Sequence, residues 1–200
     1  MKKFSLPKDG GLIEAGLPKG ILHSFERIPA NIFEDEEIAC ADLADEIINA
    51  INGSFGVFRL GLTTGTSPVY LYRELVRRHK AGDVSFKNVE IFSIDEYYPA
   101  PAPSQSRNKR LIEELINHID VKPENVHIPR HTEVRDTVTE ANADFDRLAK
   151  GLDLLVLGVG EKGQVGFNEA GSTEKSRTRT VLLSYNSRKR QAKNFGGDVD

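Results

Sequence analysis

Asp153-Leu154-Leu155-Val156-Leu157-Gly158-Val159-Gly160 runs without a break into Glu161-Lys162-Gly163-Gln164-Val165-Gly166-Phe167-Asn168-Glu169. The first part has the continuous apolar character of a buried strand. The second is a glycine-rich loop that carries polar side chains. Open α/β sheets build their ligand sites just beyond strand carboxyl ends, so this stretch predicts an α/β fold and directs the search for function to the loop.

Outward from it, Gly and Pro punctuate an alternation of helix and strand patterns. Residues 35–51 place Ile38, Ala39, Leu43, Ile47, Ile48 and Ile51 on one helical face, with acids in the first turn where they favour the helix dipole. A strand is predicted over 55–62, followed by Gly61-Leu62-Thr63-Thr64-Gly65-Thr66-Ser67-Pro68 and a helical pattern through Val69, Tyr72, Leu75 and Val76. A second strand, 89–94, runs into Asp95-Glu96-Tyr97-Tyr98-Pro99, and the proline-rich segment 99–103 reads as a surface excursion or lid. Helices are predicted at 107–118 and 138–150. This order implies a mostly parallel sheet covered on both faces, a Rossmann-like three-layer arrangement over residues 31–200, preceded by an irregular N-terminal segment, 1–30.

Three groups of residues carry candidate chemistry. The loop Thr64-Gly65-Thr66-Ser67 offers small residues, hydroxyls and a helix N-terminus, which suit a phosphate; a βα connection whose hydroxyl caps the helix would read the same. Asp95 and Glu96 stand at a strand's carboxyl end, where partial shielding from water suits a carboxylate to proton transfer, although a solvated turn has the same composition. The cluster Arg177, Arg179, Arg188, Lys189, Arg190 and Lys193 is either a solvated helix face or an anion site.

Composition narrows the classes. Two hundred residues, 38% hydrophobic and 28% charged, suit one globular domain, and a net charge of −3 gives no overall attraction to nucleic acid or anionic membrane. Cys40 is the single cysteine, which excludes an internal disulfide and a cysteine-based metal cluster and suggests the cytoplasm. No apolar run approaches the roughly 18 residues of a membrane span.

Four motifs in order, Leu60-Gly61-Leu62-Thr63-Thr64-Gly65-Thr66-Ser67-Pro68, Ser93-Ile94-Asp95-Glu96-Tyr97, Gly166-Phe167-Asn168-Glu169 and Ser176-Arg177-Thr178-Arg179, resemble the glucosamine-6-phosphate deaminase/isomerase family from about residue 28 onward. The resemblance implies conversion of glucosamine 6-phosphate to fructose 6-phosphate and ammonia, with neither metal nor organic cofactor. It implies that Thr64, Gly65, Thr66 and Ser67 hold the phosphate with Lys193, that Glu96 contributes to substrate binding, and that Asp95 moves a proton between carbons 1 and 2. Its members are often oligomeric, so a homo-oligomer is an expectation; a nucleic-acid or membrane partner is not.

The chain departs from this family in the loop that opened the reading. Lys162 and Gln164 stand where the family has an aspartate and a histidine, and that histidine assists opening of the sugar ring, oriented in part by the glutamate at Glu169. Glutamine hydrogen-bonds but exchanges no proton near neutral pH, and losing a positioned acid/base lowers rates by about 10²–10⁴. No other histidine is expected at the site. Members of the family normally continue with a further strand and helix past the position of Asp200, so either a fragment or a trimmed fold, incomplete at its C-terminus, is expected. Three readings follow: a deaminase/isomerase with an altered ring-opening step, a non-catalytic sugar-phosphate binder or sensor, and a hydrolase resembling 6-phosphogluconolactonase.

Overall fold

A computed structural model describes residues 4–5, 31–99, 101–129, 135–160 and 163–197. The first elements are a two-residue antiparallel pair, β1 (Phe4–Ser5) with β2 (Asn31–Ile32). The rest of the segment 1–30, read as irregular, lies outside the described residues.

The first long helix, α1 (Glu36–Asn52), begins where Asp35 accepts a hydrogen bond from the Ile38 N–H at 2.8 Å, with Glu36 and Glu37 in its first turn. Such a cap stabilises a helix by about 1 kcal/mol. Strand β3 (Phe58–Leu62), helix α2 (Val69–Lys80) and strand β4 (Val89–Ser93) follow. After them come α3 (Lys109–Glu114), β5 (Val126–His127), α4 (Arg135–Leu148), β6 (Leu154–Leu155) and α5 (Tyr185–Gln191). The main sheet has the order β5-β4-β3-β6 and is wholly parallel, with Leu60 opposite Ile91 on one side and Leu154 on the other.

Period-two alternation sorts the side chains into two layers. Phe58, Leu60, Leu62, Val89 and Ile91 face a core completed by Ile47, Tyr72, Leu75, Phe86, Leu111 and Leu115 from the α1–α3 side. Phe92 points the other way, edge-on to Phe145 of α4 at 6.4 Å and beneath the Arg59 guanidinium at 4.9 Å. Arg59 is fully engaged there, donating to Glu90 at 2.9 Å and to the carbonyls of Lys150 and Leu148. Gly61 permits the close approach of β6, because a Cβ at that position would stand 2.4 Å from Leu155 Cδ1.

Three expectations are corrected. The stretch 153–160 is not a long buried strand: only Leu154 and Leu155 join the main sheet, Val159 makes an isolated bridge to Val165, and Leu155 is 42% and Val159 74% exposed. It pairs with β3 on one side only, and β3 ends at Leu62, one residue past Gly61, whose carbonyl accepts the Val156 N–H. The strand predicted from residue 55 begins at Phe58, since the 53–56 turn, with Gly56 at φ +122°, leaves Phe55 in solvent. The helix predicted over 107–118 is α3 followed by a 3₁₀ turn at Ile116–His118, because residues 106–108 are drawn into a different network described below.

Candidate active site

Strands β3 and β4 end side by side, and the Leu62 carbonyl accepts the Ile94 N–H, so the segments after them emerge together. Thr64, buried, donates its hydroxyl to Asp95 Oδ1. The same oxygen receives Arg107 Nε at a long 3.4 Å. Asp95 is about 10% exposed, and its second oxygen, Oδ2, is buried with no hydrogen-bond partner among the described residues. Gly166, at φ +57°, lies over it: a Cβ there would stand 3.5 Å from Oδ2. A buried carboxylate oxygen without a donor costs about 1–3 kcal/mol, so its retention calls for a function. Below, Tyr72 donates to the Thr63 carbonyl, and burial first, with the charge of Asp95 second, raises its phenol far above the ordinary range and keeps it a donor.

Glu96 has the opposite fate. Its carboxylate accepts from the Ser106 hydroxyl, from Arg107 N at 2.9 Å, from Asn108 Nδ2 at 2.9 Å and from Tyr97 N at 2.8 Å. Burial on its own would raise its pKa, but the bonds from Ser106, Asn108 and the two backbone N–H groups hold it below the usual carboxylate range. Asn108 also reaches the Asp95 carbonyl at 3.1 Å and accepts from Ser93, so the turn 106–108 is tied to 93–96 from both sides. Glu96, expected to bind substrate, is thereby engaged in holding this turn.

The turn delivers a residue that sequence reading treated only as a helix start. Arg107 accepts the Gly65 N–H at 3.3 Å through its carbonyl, and its guanidinium stacks over Phe167 at 4.7 Å. The signal was available: no other Lys or Arg occurs between Lys87 and Lys109, so the acids at 95 and 96 have Arg107 as their first downstream counter-charge. Gly65 has φ +89°, which favours glycine, and a Cβ there would lie 3.2 Å from Arg107 Nη1. Thr66 and Ser67 are exposed, and Pro68 precedes α2 with no side-chain cap and no acid in the first turn, leaving that helix end open to an anion.

The remaining predicted residues occupy other positions. Gln164 folds its amide onto Gly160, whose N–H donates to the Gln164 carbonyl at 2.7 Å. Glu169 accepts the Ser184 N–H at 3.1 Å, and the Ser187 hydroxyl together with that N–H lowers its pKa; it caps the approach to α5. Lys162 and the side chain of Lys193 lie outside the described residues, as do His23 and His131. His79 faces the Val84 carbonyl at 2.9 Å and His127 stacks on Phe92 at 4.6 Å, both away from Asp95's partners. The basic cluster is divided: Arg177 pairs with Asp146 at 3.1 Å and Arg179 donates to Ser172, whereas Arg188 and Arg190 ride on α5.

A cleft of about 440 Å³ opens between residues 94–98, α4 and the 165–183 segment, with Asp95, Gly166, Phe167 and Asn168 on its wall. That volume suits a small metabolite. Oδ1 of Asp95 faces Thr64 of the 64–67 loop and Oδ2 lies beneath Gly166, a residue of the cleft wall. Tyr97 packs against Phe167 and Phe195 and donates to Gln191 at 2.9 Å, docking the chain's last turns beside the site. Among the described residues no group of His, Cys, Asp or Glu could hold a metal ion, and no helix is long and apolar enough to cross a membrane.

A parallel sheet with a carboxylate, a cation and a glycine–hydroxyl loop gathered at its carboxyl ends defines an α/β protein of the kind that places ligand sites beyond its strand ends. The family described as glucosamine-6-phosphate isomerases/6-phosphogluconolactonase matches residues 34–193, and the chain belongs to it. A glucosamine-6-phosphate deaminase-like protein of Bacteroides thetaiotaomicron is 36% identical over 192 residues, 92% of this chain and 29% of that protein. Glucosamine-6-phosphate deaminase 2 of Bacillus subtilis is 40% identical over 141 residues, 70% of this chain and 57% of its own length. Against both, the chain spans less than two thirds of the relative. A solved monomeric glucosamine-6-phosphate deaminase superposes with a TM-score of 0.74 at 29% identity, covering 82% of this chain and 69% of that one.

Proposed function

We propose that the chain acts on an amino-sugar phosphate as a glucosamine-6-phosphate deaminase/isomerase, with Asp95 as the proton-transfer base. The observation that carries this reading is the uncommitted, buried Oδ2 of Asp95, a residue of the cleft wall, while Oδ1 is held by Thr64 from the phosphate-type loop. Asp95 removes the proton at carbon 2 of the open-chain sugar and returns it at carbon 1. Uptake of water and loss of ammonia complete the balance from glucosamine 6-phosphate to fructose 6-phosphate. The backbone N–H groups and hydroxyls of Thr66 and Ser67 receive the phosphate at the open end of α2, and Gly65, without a side chain, leaves room for it.

Gln164 supplies hydrogen bonding but no proton for ring opening, so turnover depends on sugar that opens without acid/base help and is slow. This same residue favours a second reading, a sugar-phosphate binder without turnover. The lactonase reading is disfavoured by Asp95-Glu96-Tyr97 and Phe167-Asn168-Glu169, which resemble the deaminase branch. Proton NMR of glucosamine 6-phosphate with the purified chain separates the readings. Fructose 6-phosphate that forms with wild type and not with Asp95→Asn supports the enzyme; ligand line-broadening without product supports the binder.

A further inference from the structure

We infer that Arg107 is a direct ligand of the substrate's phosphate, supplying the two-pronged cation beside the 64–67 loop; this rests on the sugar-phosphate reading above. Its guanidinium is about 17% exposed, yet the only acceptor it reaches among the described residues is Asp95 Oδ1, through Nε at 3.4 Å. Nη1 and Nη2 donate to nothing there. Arg59 shows how this protein treats a buried guanidinium whose role is structural alone, since its Nε, Nη1 and Nη2 all donate to protein oxygens. Arg107 leaves the four N–H groups of Nη1 and Nη2 without a protein acceptor among the described residues, and neither atom is among the buried unpaired ones, so both are within reach of a ligand.

Their position identifies the ligand's chemistry. The guanidinium lies against Gly65, with Nη1 3.2 Å and Cζ and Nη2 both 3.5 Å from where a Cβ would be, so it stands beside the loop that continues through the exposed Thr66 and Ser67 to the uncapped start of α2. A guanidinium edge matches two oxygens of one phosphate. The fork is also pre-positioned: Glu96 holds the Arg107 N–H, Gly65 holds its carbonyl and Phe167 lies under the guanidinium plane. Its charge offsets the repulsion that a phosphate dianion would meet from Asp95.

The test is calorimetric titration of the whole chain with inorganic phosphate, fructose 6-phosphate and fructose. Arg107→Gln is expected to weaken both phosphate ligands on the order of 10–100-fold, with no change towards fructose. Arg107→Lys falls between, keeping charge without the fork. Arg73→Gln, which removes a cation paired with Glu114 on α2 at 3.0 Å, leaves all three unchanged. Wild-type affinity in Arg107→Gln, or wild type that binds no phosphate, overturns the inference. So does lower turnover with phosphate affinity intact, which would make Arg107 a positioning residue for Asp95. Should Arg107→Gln fail to fold, Arg107→Lys decides: equal affinity to wild type overturns the inference and a several-fold loss supports it. Arg107-dependent phosphate binding without conversion of glucosamine 6-phosphate refutes the proposed reaction alone.

Discussion

Glu96→Ala tests the idea that one carboxylate organises the site while its neighbour works in it. At least five donors converge on Glu96: the Ser106 hydroxyl, Arg107 N, Asn108 Nδ2, Tyr97 N and, at a long 3.4 Å, Asn108 N. A hydrogen bond to a charged group contributes about 1.5–3 kcal/mol, but bonds that share one acceptor are not additive, and water reaches this half-buried position once the side chain is gone. The expected loss is therefore about 2–4 kcal/mol, roughly 5–15 °C in Tm for a domain of this size. Because the same bonds hold Arg107, phosphate affinity falls with stability. Glu96→Gln keeps an acceptor and loses the charge, so it lies between.

The pH dependence gives an independent reading of the same carboxylate. Its pKa is depressed in the folded state, so its contribution is fully present above the unfolded value, about 4.3, and is lost as pH falls through the folded value. Wild-type Tm therefore drops more steeply than that of Glu96→Gln as pH is lowered from about 5. Thermal melts followed by circular dichroism at a series of pH values measure both effects. A Glu96→Ala Tm within about 2 °C of wild type, or parallel pH slopes for wild type and Glu96→Gln, refutes the clamp.

Asp95→Asn keeps an oxygen for the Thr64 hydroxyl, so it should retain fructose 6-phosphate affinity within a few-fold while losing turnover by at least about 10²-fold in a coupled assay; equal losses of both would implicate binding instead. Gly65→Ala meets a left-handed backbone and the Arg107 guanidinium together, costing about 1–2 kcal/mol by thermal melt and weakening phosphate more than it weakens the fold. Gln164→His should raise turnover of glucosamine 6-phosphate and add a limb near pH 6–7 to its pH–rate profile; an unchanged profile would mean that position 164 does not reach the ring oxygen.

The parts of this fold that were legible in sequence are those with period and punctuation. The α1 face with its acidic first turn, the two central strands, and the loops after them follow from local chemistry that tertiary packing did not override. The 153–160 run misled because its apolar character does not guarantee pairing on both flanks, and among the described residues β6 pairs with β3 alone. The 107–118 pattern misled because four donors and acceptors of residues 106–108 found partners at Ser93, Asp95 and Glu96 that lie ten or more residues away in the chain. Long-range polar satisfaction has no periodicity to read, and Arg107 was hidden for that reason.

Asp95 and Glu96 are adjacent, alike in charge and at the end of the same strand, yet one is saturated and the other is not. In extended chain successive side chains point to opposite sides, so the two carboxylates meet different neighbourhoods. Glu96 turns toward the 106–108 segment, whose backbone N–H groups would otherwise be left without acceptors before α3 begins. Asp95 turns toward Thr64 and Gly166, where a single hydroxyl and a distant guanidinium nitrogen satisfy one oxygen and glycine leaves the other bare. Divergent environments around paired carboxylates are how enzymes separate a structural or electrostatic acid from a reactive one. Exchanging the order of the two residues would keep charge and composition but leave the shorter side chain to reach for Ser106 and Asn108, so the clamp and the base should fail together.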